Sequence, residues 1–106
     1  MQDKVNILGT EYVVETDTSL NDGEKDGLYY PYRKKISARN KSGLLDETST
    51  DEEKQIRLQE TLRHEITHAF FYESGLDEYC EDERLVDWFA IQSPKIYKVF
   101  EKLGIL

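Results

Sequence analysis

A chain of 106 residues, 38% hydrophobic and 34% charged with two prolines and six glycines, has room for one modest core and not for two, and its composition excludes a fibrous or disordered protein. Twenty-two acidic against fourteen basic residues leave a formal charge of -8, which repels phosphate backbones and anionic lipid at long range. Neither nucleic acid nor a membrane is therefore an expected partner, and residues 1–106 are expected to form a single domain.

The first third carries strand patterns. Val5, Ile7 and Leu8, then Tyr12, Val13 and Val14, broken by Gly9, predict a hairpin or two short strands. A polar, glycine-punctuated loop from Asn21 to Gly27 follows, then an aromatic patch at Tyr29, Tyr30 and Tyr32 interrupted by Pro31, and a short strand from Lys35 to Ala38. The economical arrangement is a small antiparallel sheet. From Ser49 the period becomes helical: hydroxyl caps precede acids in the first turn, and Ile56, Leu62, Ile66 and Phe70 recur at helical spacing. Ser74 and Gly75 end this helix, with Leu76 placed to fold back on it. A second helix is predicted from about Glu81 to Gln92, with Leu85, Val86, Phe89 and Ala90 as its apolar stripe. Ser93 and Pro94 open a third, with Ile96, Val99, Phe100 and Leu103 inward and Gly104 at its end. Strands first and three helices after them read as an α+β fold. The lone Cys80 excludes an internal disulfide. No apolar leader or membrane-length run is visible, so a cytoplasmic location is expected.

Both histidines of the chain lie in "HEITH", His64 to His68. Residues four apart stand above one another on one helix face, so each imidazole can give a nitrogen to one ion at about 2.0 to 2.1 Å. Glu65 points into the neighbouring sector, where it is poorly placed as a ligand and well placed to take a proton from a metal-bound water. Two surface histidines with an incidental glutamate would show the same letters. Against that, the motif sits in a capped, patterned helix, and Ile66, Ala69 and Phe70 around it are apolar.

A catalytic zinc keeps three protein ligands and an open position, and with no further histidine the third must be a carboxylate or Cys80. The run "DEYCEDERLVD" offers Asp77, Glu78, Glu81, Asp82, Glu83 and Asp87. Glu83 leads, because Asp87 shares its face four residues on and can accept a hydrogen bond from the outer nitrogen of a ligating histidine. Glu81, Asp82, Asp87 and Cys80 are the alternatives, and most of the acids have a plain role at a helix start. For an oxyanion, Tyr72, one turn beyond His68, and the patch at Tyr29, Tyr30 and Tyr32 are candidates, although tyrosines serve more often as packing residues.

"HEITH" followed by "ERLVD" resembles the gluzincin metallopeptidases, whose pattern is H-E-x-x-H with a downstream E-x-x-x-D on a second helix. With its short N-terminal sheet and its "DWFA" segment the chain is similar to the very small ImmA/IrrE-type peptidases of phages and mobile elements. The resemblance spans roughly Gly9 to Ala90, and it implies a zincin-like fold with Zn2+ as cofactor. It further implies His64, His68 and Glu83 as ligands, Glu65 as the base, Asp87 as partner of a ligand, and a protein or peptide substrate. A non-catalytic zinc-containing module that binds a host or regulatory protein is the rival expectation. A hydrolase of non-peptide amides is a third.

Overall fold

The computed structural model describes residues 2–17 and 25–106. Strands β1 (Gln2–Ile7) and β2 (Thr10–Asp17) pair antiparallel. The two-residue turn between them has both φ angles positive, 51° at Leu8 and 95° at Gly9, the left-handed geometry that matches strand twist in tight hairpins. The Asn6 side chain accepts from the Gly9 N–H at 2.8 Å and braces it. Strands β3 (Gly27–Tyr30) and β4 (Lys35–Arg39) form a second antiparallel hairpin. Most of the glycine-punctuated loop expected before Gly27 lies outside the described residues.

The sheet is mixed rather than antiparallel, with strand order β1-β2-β4-β3 and β2 running parallel to β4. Burial accounts for the order. Ile36, Ser37 and Ala38 of β4 are all buried, as a strand covered on both faces must be, whereas every residue of β3 is only half-buried. The hairpin therefore docks through β4, and β3 is left on the edge. Side-chain alternation identifies a strand but is blind to the direction of its neighbour.

Helix α1 (Asp51–Glu73) begins with a reciprocal cap: the Glu53 N–H donates to Thr50 Oγ1 at 3.1 Å, and the Thr50 N–H donates to Glu53 Oε1 at 2.7 Å. It ends at Gly75, φ 81°, where the Leu76 N–H reaches back to the Phe71 carbonyl at 2.9 Å. Across the sheet, Ile7, Tyr12, Val14, Ile36 and Ala69 make the core, with Leu62 and Ile66 packed against it. The last residue of α1, Glu73, is clamped to the strands by Thr10 Oγ1 at 2.8 Å, Tyr12 OH at 2.6 Å and Lys34 Nζ at 3.0 Å. Those donors offset the unfavourable position of an acid at a helix C-terminus. The Tyr12 hydroxyl foremost, then Lys34 and Thr10, hold its carboxyl down to about 2.

A single turn, α2 (Asp77–Cys80), leads into α3 (Glu83–Lys102), whose cap Asp82 accepts from the Leu85 N–H at 3.1 Å. Among the described residues the α-helices thus number three, but the boundary expected at Ser93 and Pro94 does not exist, since α3 runs through Pro94. Its second half also faces outward where inward packing was expected: Val99 is 56% exposed and Leu103 65%. Among the described residues no helix is long and apolar enough to cross a membrane.

Candidate metal centre

Helix α1 presents His64 and His68 one turn apart, with their Nε2 atoms 3.2 Å from each other. Glu83, the first residue of α3, reaches across to both: Oε2 lies 2.9 Å from His64 Nε2 and Oε1 lies 3.1 Å from His68 Nε2. The outer nitrogens are occupied as well. His64 Nδ1 lies 2.7 Å from Asp87 Oδ1, and His68 Nδ1 lies 2.6 Å from the carbonyl oxygen of Cys80. A carbonyl or carboxylate oxygen can only accept, so both Nδ1 atoms carry a proton, and in the neutral imidazoles both Nε2 lone pairs then face each other and the Glu83 carboxylate.

Two lone pairs facing at 3.2 Å repel unless a proton or a cation lies between them. An ion held tetrahedrally at about 2.0 to 2.1 Å would set its ligand atoms about 3.3 Å apart, close to the separations seen here. His64, His68 and Glu83 could therefore hold a metal ion, and they are the group of that kind among the described residues. Both histidines are largely buried whereas the Glu83 side chain is 65% exposed, so the group closes one side of an open cleft.

Glu65 sits beside this group, its Oε2 3.9 Å from His64 Nε2. It is buried where β3 meets α1. A Cβ built on Gly27 would stand 2.7 Å from Thr61 Cγ2 and 2.9 Å from Glu65 Cγ; only glycine lets the strand come this close. Burial pushes the Glu65 carboxyl up to about 7, with His64 opposing and Glu83 adding to the rise.

The cleft has a volume of about 540 Å³ and runs from the metal group past Gly27, Thr61 and Ala90 to Lys25, Arg57 and Glu60. Arg57 Nε is paired with Asp26 Oδ2 at 2.7 Å, tying α1 to the start of β3. Gly27 thus places the beginning of an edge strand on the cleft wall.

The other named residues lie elsewhere. Tyr72 is not on the cleft; its ring meets Tyr29 edge-on with centroids 6.1 Å apart and carries Lys34 Nζ 5.1 Å above it, on the sheet side of α1. Tyr32 is 92% exposed on the β3–β4 turn, and Tyr30 packs under Arg33 and Lys35. Asp82 is committed to its cap. Cys80 is buried, its thiol directed to the His68 carbonyl at 3.3 Å and pushed up to about 11 by burial first, then by Glu81, Asp77 and Glu83. Its contribution to the site is the backbone carbonyl, a group that every residue carries and that no residue letter reveals. Tyr29 stacks on His68, centroids 5.9 Å apart and planes within 6°, the packing role that tyrosines more often have.

Comparison with protein-family profiles, with curated proteins and with solved structures gives no match to this chain.

Proposed function

We propose that this protein is a small zincin-like peptidase, hydrolysing peptide bonds with zinc held by His64, His68 and Glu83 and with Glu65 as general base. The observation that carries the reading is the position of Glu65, a buried carboxylate 3.9 Å from a nitrogen of the candidate metal group. A group that merely held an ion for stability would have no use for a desolvated base beside it. The gluzincin-like spacing of "HEITH" and "ERLVD" agrees with this, and the donor set of two imidazoles and a carboxylate suits zinc.

Zinc, when bound, polarises a carbonyl and lowers the pKa of a water to about 7. The protein's own groups do the rest. Asp87 and the Cys80 carbonyl hold the two imidazoles in the tautomer that leaves Nε2 free. Glu65, its carboxyl near 7, takes a proton from the attacking water and returns it to the leaving amine. The outer edge of β3, beginning at Gly27 on the cleft wall, offers main-chain donors and acceptors to an extended peptide. Tyr72 lies off the cleft and takes no part.

Elemental analysis and a quenched fluorescent peptide library test the reading together. The expected result is one zinc per chain, lost in His64→Ala and His68→Ala, with peptide cleavage that disappears in Glu65→Gln while the zinc remains. Zinc-free wild type after purification and zinc reconstitution would sink the metal reading. Zinc-loaded protein whose Glu65→Gln variant cleaves as fast as wild type would sink the base.

A further inference from the structure

The solvent side of α3 carries an apolar seam. Leu85, Phe89, Gln92, Ile96, Val99 and Leu103 follow one another at intervals of four, three, four, three and four residues, the alternation that keeps one stripe in line between two packed helices. Among the described residues little covers it: Leu85, Gln92 and Ile96 are half-buried, while Phe89 is 43% exposed, Val99 56% and Leu103 65%, and residues 97–102 are exposed throughout. Beside the first half of the seam opens an apolar groove of about 340 Å³ between α1 and α3, walled by Ile66, Phe70, Phe71 and Phe89.

We propose that a second copy of this chain packs on this face, α3 against α3 in antiparallel orientation about a two-fold axis. The seam reads the same from either end. Leu85 lies opposite the partner's Leu103, Phe89 opposite the partner's Val99, and Gln92 opposite the partner's Ile96, so one patch serves both copies, as two-fold symmetry demands. A single polar residue near the middle of such a seam sets its register, and Gln92 is that residue.

Charge and the helix dipoles favour the antiparallel orientation. Glu83 and Asp87 point away from the seam, to the two histidines, whereas the second half of α3 carries Lys95, Lys98 and Lys102 against Glu101. Antiparallel packing keeps the two lysine-bearing halves apart and opposes the helix dipoles, whereas parallel packing would lay them together. It also brings Lys102 toward the partner's Trp88, a cation over an indole, and Phe100 toward the partner's groove. The two copies of Lys95 meet near the axis in water, where like charges cost little.

The area is sufficient. Phe70, Trp88, Phe89, Val99, Phe100 and Leu103 are each about half exposed, on the order of 600 Å² of apolar surface taken from typical side-chain areas. That is the upper end of what a monomer's largest patch shows. It exceeds the apolar share, somewhat over half, of the roughly 800 Å² each partner contributes to a stable interface.

Sedimentation equilibrium on the purified full chain, from micromolar to millimolar concentration, tests this without reference to metal or activity. Wild type is expected to weigh two chains, and Val99→Glu and Leu103→Glu to weaken the dimer by about tenfold or more, since each buries an unpaired charge. Both positions are exposed in the single chain, so circular dichroism should show both variants folded. Orientation is read by oxidative cross-linking: Leu85→Cys mixed with Leu103→Cys should form a disulfide heterodimer, and Leu103→Cys alone should not link to itself. A wild type that is monomeric throughout, or that becomes larger only with another protein or with lipid vesicles, overturns the proposal. So do glutamate variants as dimeric as wild type, and self-linking of Leu103→Cys overturns the antiparallel arrangement.

Discussion

Arg63 Nε donates to the carbonyl oxygen of Ala90 at 2.6 Å, and that carbonyl is open to it because Pro94, four residues further along α3, has no N–H to offer. A proline in a helix interior ordinarily orphans one carbonyl. Here the neighbouring helix supplies the missing donor, and the same bond locks α3 against α1 one turn from the candidate metal group. Arg63→Met keeps the apolar stem and removes the donor, so it should destabilise the fold by about 1 to 3 kcal/mol, the cost of a buried carbonyl left unpaired. Pro94→Ala restores an N–H, and in that background the same Arg63 change should cost clearly less. Urea unfolding of the four proteins in this cycle checks the coupling; equal costs in both backgrounds would show that the two residues act independently.

At Gly27 the strand and the candidate base compete for space. Gly27→Ala puts a methyl 2.7 Å from Thr61 Cγ2 and 2.9 Å from Glu65 Cγ, and forcing that contact apart should cost about 1 to 3 kcal/mol. Thr61→Ser removes the offending methyl and keeps the hydroxyl that donates to the Arg57 carbonyl at 2.8 Å. Added to Gly27→Ala, it should recover part of the loss, as measured by thermal unfolding.

The Asp87 side chain is 64% exposed, and its described partner is His64 Nδ1. Removing it should leave stability nearly untouched yet release the tautomer of one candidate ligand. Asp87→Ala should therefore weaken zinc binding by about 10- to 100-fold, measured by competition with a chromogenic chelator, with an unfolding midpoint close to that of wild type. An unchanged zinc affinity would mean that Asp87 does not orient the ligand.

Stability should also depend on acid through Glu73. Its carboxyl is held at about 2 against an ordinary 4.5. A depressed carboxyl stabilises the fold fully above its unfolded pKa, and that contribution is lost as pH falls from about 4.5 through about 2. Glu65, raised from 4.5 to about 7, acts in the opposite sense, losing its contribution as pH rises from about 4.5 through about 7, so its slope lies mainly above that window. Glu73→Gln should accordingly flatten the fall in urea midpoint between these pH values. It should also lower the midpoint at neutral pH, because Lys34 and Tyr12 lose their charged acceptor.

What could be read from residue letters was local. The capping box at Thr50 and Glu53, the glycine that ends α1 and the face shared by His64 and His68 all depend on residues within four positions of one another, and helix geometry alone relates them. The pairing of Glu83 with Asp87 was legible for the same reason. Where Ser93 and Pro94 were read as a helix start, the local rule was overridden by one distant residue, Arg63, which no window around Pro94 contains.

The sequence by itself determined the α+β class, the span of α1 and the side-by-side histidines, since period and capping act within a turn or two of the chain. Tertiary structure alone decided that β4 slides between β2 and β3, that the Cys80 carbonyl is what holds His68, that Tyr72 turns to the sheet rather than the cleft, and that half of α3 is left bare. Each of these depends on which surfaces meet across long chain separations, and burial of the whole, rather than any local preference, selects among those meetings.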